Sequence, residues 1–111
     1  EFVDAVLHAA HEQQERRERL QARGLDLTQL LRRVAALSTL APGDLLGPSK
    51  LPQRVRARSL LCYWAVRELG LPGTVVAARL SLTQSAVSRA VQRGERLAAG
   101  QGLRLGMERD S

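Results

Sequence analysis

In this 111-residue chain, the side chains whose types and spacing best suit chemistry lie between Val75 and Ala90. Ala77 is small enough to sit where two short helices cross. Ser81, four positions on, falls where a left-handed turn residue is needed, and Val87, six further, is an aliphatic pin for the second helix. Val76, Leu80, Leu82, Ala90 and Val91 supply the other inward positions of such a pair. With those turned in, Gln84, Ser85, Ser88, Arg89 and Gln92 turn out as a polar ridge without a carboxylate. Gln and Arg can bond two base-edge atoms at once, and Ser can bond bases or phosphates. The chemistry on offer is readout of a DNA major groove about 12 Å wide. A plain helical hairpin within a bundle is the alternative reading of the same spacing.

Five helices are expected to position this ridge. The first covers about residues 3 to 22, where Phe2, Val3, Val6, Leu7 and Ala10 recur at helical spacing before Gly24 stops it. In its charged middle, Glu12 with Arg16 and Glu15 with Arg19 have the spacing of helix-surface pairs. Asp26 with Gln29 reads as a capping box opening a second helix, about 27 to 39, with the stripe Leu27, Leu30, Leu31, Val34 and Leu37. Pro42 opens a single turn to Leu46, and a basic loop runs from Lys50 to Arg54. A third helix starts near Pro52, continues unbroken to Leu69 and is capped by Gly70; its stretch Leu60 to Val66 is apolar all round and belongs at the centre of the core. The last two helices cover about 73 to 80 and 83 to 96, Thr83 capping the second.

Charge is concentrated around the same region. Sixteen of the seventeen basic residues are Arg. Residues 1–49 net −1, residues 50–96 net +7, and residues 97–111 net zero. Such asymmetry is the footprint of a polyanion site, because Lys and Arg that neutralise phosphates release condensed counterions; a solvated basic surface is the bland alternative. Gln84, Ser85, Ser88 and Arg89 are therefore the candidate base contacts, and Lys50, Arg54, Arg58, Thr83 and Arg93 the candidate phosphate and loop contacts. Arg54 and Arg58 share a helix face, whereas Arg56 points elsewhere and is left unassigned.

Other reactive side chains offer less. His8 and His11 share a face, but no third ligand accompanies them, so no metal or other cofactor is assigned. Tyr63 lies in the run Leu60-Leu61-Cys62-Tyr63-Trp64 with no base beside it and is read as core. Cys62, the one cysteine, cannot make an internal disulfide and fits a reducing, cytoplasmic setting. With no convergent acid, base and nucleophile, neither catalysis nor a small-molecule substrate is expected.

Three aromatic residues and a wealth of Leu, Ala and Arg against few β-branched residues favour helix over sheet, and 44% hydrophobic content suffices for a modest core. The expectation is one all-α bundle. Residues 1–46 form a helical segment on the core, 47–97 the loop, long helix and helix pair, and 98–111 a Gly-rich flexible tail. No apolar run reaches the roughly 20 residues of a membrane span, and no membrane partner is expected. The opening Glu1-Phe2-Val3, in mid-pattern and without Met, reads as a piece of a longer protein.

Two strings carry a resemblance: Val55-Arg56-Ala57-Arg58-Ser59-Leu60-Leu61-Cys62-Tyr63-Trp64-Ala65-Val66-Arg67-Glu68-Leu69-Gly70, and Leu82-Thr83-Gln84-Ser85-Ala86-Val87-Ser88-Arg89-Ala90-Val91-Gln92-Arg93-Gly94-Glu95. They resemble the C-terminal extension of bacterial REP-associated tyrosine transposases. The order of basic loop, long helix and helix-turn-helix is also similar to the DNA-binding domain of the replication initiator DnaA. The resemblance implies backbone and minor-groove contacts from Lys50 and Arg54, and major-groove contacts from Gln84, Ser85, Ser88 and Arg89. It also implies a partner of duplex or hairpin DNA, with self-association into a homodimer left open. The loop Gly47-Pro48-Ser49-Lys50-Leu51-Pro52 is less basic than the resemblance implies. The His-hydrophobic-His metal site and nucleophilic Tyr of such transposases, which belong to a preceding domain, are not in this sequence. A stand-alone helix-turn-helix transcription regulator and a helical dimerisation module are the rival readings.

Overall fold

The computed structural model describes residues 2–22, 24 and 26–101. Among them are five α-helices and no strands: α1 (Phe2–Ala22), α2 (Leu27–Leu37), α3 (Pro52–Tyr63), α4 (Gly73–Leu80) and α5 (Gln84–Gln101). No helix among the described residues is long and apolar enough to cross a membrane. The side chains of residues 2 to 9, including His8 and the apolar set from Phe2 to Leu7, lie outside what is described, as do residues 102–111.

Each helix begins where the local chemistry allows. The Asp26 carboxylate accepts from Gln29 N–H at 2.8 Å, satisfying one of the donors that open α2. That helix ends two residues before its expected limit because Thr39 turns left-handed (φ +57) and Leu40 N–H folds back onto Ala35 O at 2.8 Å. A single 3-10 turn, Pro42–Leu45, follows.

The third helix departs from expectation in its second half. From Trp64 to Glu68 it widens into a π turn, with Leu69 N–H donating to Trp64 O, five residues back, at 2.9 Å. The wider turn keeps Trp64, Ala65 and Leu69 in the core while carrying Glu68 round to α1. Residues 57 to 62 are buried on every side of α3, so this helix is the axis of the bundle. One apolar cluster surrounds it: Leu30, Leu31 and Val34 from α2, Leu45 from the 3-10 turn, Val76 and Leu80 from α4, and Val87, Ala90 and Val91 from α5.

The α3–α5 pairing is the closest in the molecule. A Cβ added to Gly94 would stand 2.1 Å from Ser59 O and 2.6 Å from Tyr63 Cβ. Glycine in a helix interior costs roughly 1 kcal/mol relative to alanine, so here intrinsic helicity gives way to backbone contact. This register carries α5 on to Gln101, beyond the expected end near 96, and Ala98 is still buried.

Beyond residue 9, α1 places Leu20 in the core and adds polar contacts to the end of the π turn. Gln13 and Arg17 donate to Arg67 O, and Gln21 donates to Leu69 O at 3.2 Å. One stripe of α1 at four-residue intervals thus supplies donors to carbonyls that the end of the π turn leaves unpaired. Arg16 forms an ion pair with the buried Glu68 at 2.7 Å, a partner across the fold that helix-surface spacing did not indicate. Gly70 (φ +76) leaves room for Arg17, whose Cδ lies 2.7 Å from where a Cβ would be.

Gly94→Ala is expected to destabilise the fold by about 1–3 kcal/mol in urea melts, because rigid backbone must move to admit the methyl. Gly100→Ala, with open space around it, should instead raise stability by up to about 1 kcal/mol. Burial pushes the Cys62 thiol up to about 11. It should therefore resist alkylation in the native protein near pH 8 and react fully once urea unfolds the chain.

Candidate functional site

The helix pair α4–α5 is joined by a tight turn whose conformation follows from its residues. Ser81 takes the left-handed conformation (φ +59, ψ +46), and Leu82 N–H closes onto Ala77 O at 2.9 Å. Thr83 Oγ1 then accepts from Ala86 N–H at 3.0 Å, capping α5 at the expected position. Val76, Ala77, Leu80, Val87, Ala90 and Val91 are buried, and Leu82 packs against them. The orientation of α5 about its axis is thereby set.

The opposite face of α5 presents Gln84, Ser85, Ser88, Arg89 and Gln92, all exposed. The structure brings these five together on one ridge, as their spacing predicted. Glu95, the sole acidic residue of α5, lies on its flank 3.4 Å from Arg67 Nη1, so its charge is met by a cation.

The candidate phosphate contacts separate into different roles. Lys50 is exposed on the loop. Arg54 is paired with Asp44 at 3.1 Å, and Asp44 also accepts from Ala41 N–H at 3.1 Å. Arg54 therefore anchors the 3-10 turn to α3. Arg58 departs furthest from its assignment on the exposed face of Arg54. Only 6% exposed, it donates from Nη1 to Gly47 O at 2.6 Å and from Nη2 to Ser49 O at 3.0 Å. Burial pulls its pKa below the usual arginine value, with Arg93 adding to that effect against the opposing influence of Cys62. A guanidinium held this way shapes the loop instead of reaching a ligand. Sequence spacing gave its direction along the helix, but could not show the loop folding back over it.

The loop is fixed at a second point as well. Gly47 N–H donates to Leu80 O at 2.7 Å, at the carbonyl-rich end of α4. Gly47 thus links α4 through its N–H and α3 through its C=O, so loop and helix pair are one mechanical unit.

Arg93 is half-buried; its Nε donates to Ser59 Oγ at 3.1 Å, and that hydroxyl donates to Val55 O at 2.7 Å. Arg56, unassigned by spacing, and Arg96, which it overlooked, line a cleft together with Lys50 and Arg93. The one available signal was the placement of Arg89, Arg93 and Arg96 along one flank of α5.

His11 is exposed, 3.4 Å from Glu15, and among the described residues no three His, Cys, Asp or Glu side chains cluster as metal ligands. Tyr63 is half-buried, its pKa raised by burial and then by Glu68 and Glu95, so its hydroxyl is protonated near neutral pH. Comparison of the chain with models of protein families, with curated proteins and with solved structures finds no match.

Arg58→Ala is expected to lower stability by about 1.5–3 kcal/mol through loss of charged hydrogen bonds. It should also speed limited proteolysis between residues 47 and 51, whereas Arg54→Ala should leave that cleavage rate nearly unchanged.

Proposed function

We propose that this chain is a sequence-specific DNA-binding domain of helix-turn-helix type, belonging to a transposase-related protein. In this reading α5 lies in the major groove, with Gln84, Ser85, Ser88 and Arg89 toward base edges. Thr83 at the start of α5 and Lys50 on the loop approach phosphates. The observation that carries the reading is the ridge itself. Five exposed polar side chains free of acid stand on a helix whose rotation is set by six buried apolar residues, within a region netting +7. A rigidly presented ridge of hydrogen-bonding groups suits readout of a fixed pattern better than a mobile one would.

The link to transposases rests on the resemblance of residues 55 to 70 and 82 to 95. The fragment would target its parent to duplex or hairpin DNA, the strand-transfer chemistry lying elsewhere in that parent.

Fluorescence anisotropy on labelled duplexes of several sequences, at several salt concentrations, tests the reading. The logarithm of the affinity should fall linearly with log salt. Arg89→Ala and Gln84→Ala should each remove about 1–3 kcal/mol of discrimination between sequences. Absence of binding even at low salt would refute it. Concentration-dependent self-association indifferent to Arg89→Ala would favour a dimerisation module.

A further inference from the structure

We propose that the cleft between the start of α3 and the far half of α5 holds phosphates of the DNA backbone, gripped by Lys50, Arg56, Arg93 and Arg96. This rests on the DNA-binding reading and extends it to residues outside the ridge. The cleft has a volume of about 450 Å³, and its floor is the apolar surface of Pro52, Val55 and Leu97.

Three observations converge there. Four cations from the loop, α3 and α5 line one space with no carboxylate among them. Like charges so confined repel, and a bound anion relieves the repulsion. Several other arginines are already engaged: Arg16 with Glu68, Arg54 with Asp44, Arg58 with loop carbonyls, Arg67 with Glu95. Among the described residues Arg56 and Arg96 have no ion pair or hydrogen bond, and the Ser59 hydroxyl orients Arg93 toward them. The first turn of α3, whose Pro52 lines the cleft, has no acidic residue and no side-chain cap.

The geometry also joins cleft to ridge. Arg89, Arg93 and Arg96 descend one flank of α5, spanning about 10 Å along the helix axis. Along a DNA strand that length can meet about two phosphates. The apolar floor suits the edge of a deoxyribose beside its phosphate better than a hydrated free ion, which selects a polymer backbone.

The test is the Arg56→Gln/Arg96→Gln double variant, with Arg19→Gln on α1 as a charge control. All three side chains are exposed, and matching circular dichroism confirms folding. The slope of log affinity against log salt should become shallower by about 1.8, while the ranking of duplex sequences stays as in the wild type. A slope equal to wild type, in a chain that still binds duplex, overturns the cleft and leaves the ridge reading standing. A wild type that binds no duplex removes the ridge reading, and titration with pyrophosphate then judges the cleft. Shifts at the Nε resonances of Arg56, Arg93 and Arg96, with the Arg93 shift lost in the double variant, retain it as a phosphate site; unperturbed resonances dispose of it.

Discussion

The backbone-to-backbone approach of α3 and α5 at Gly94 is the contact on which the rest of the structure depends. Only where a Cβ is missing can Ser59 O come so close to α5, and that depth of contact draws Val87, Ala90 and Val91 into the cluster around Trp64. Once that face is buried, helical geometry leaves no freedom in which side chains point outward. A helix seated further from α3 could rotate, and the ridge would lose its fixed orientation. The same proximity brings Arg93 within reach of the Ser59 hydroxyl.

Arg58 does for the loop what Gly94 does for the helix. A buried guanidinium is costly unless its donors are met, and backbone carbonyls at Gly47 and Ser49 meet two of them. Through the Gly47 N–H to Leu80 O bond, the segment carrying Lys50 is registered against the end of α4. The exposed basic residues are consequently displayed from fixed positions. α1 contributes differently, supplying amide and guanidinium donors where the π turn ends and pairing Arg16 with the buried Glu68.

The distribution of charge gains meaning from these contacts. Net charge over residues 50–96 is +7, yet its cations are not equivalent. Some are spent on holding the fold, as Arg54, Arg58 and Arg67 are. Others, Lys50, Arg56, Arg89 and Arg96, remain turned to solvent. Contacts within the fold thus set apart the structural cations from those that the α5 ridge and the cleft beside it present to solvent.

By itself the sequence determined the number and order of the helices, the caps at Asp26 and Thr83, the left-handed turn at Ser81, and the division of α5 into inward and outward residues. These depend on spacing and local hydrogen bonding within a few positions, information that neighbouring residues carry. Tertiary structure alone decided that Arg58 turns inward onto the loop, that the third helix widens after Tyr63, that α5 continues to Gln101, and that Arg56 and Arg96 meet across a cleft. Each of those outcomes involves residues far apart in the chain or a backbone carbonyl that has no signature in residue type. A guanidinium seeks whichever acceptors the fold brings within reach, and only packing determines which those are.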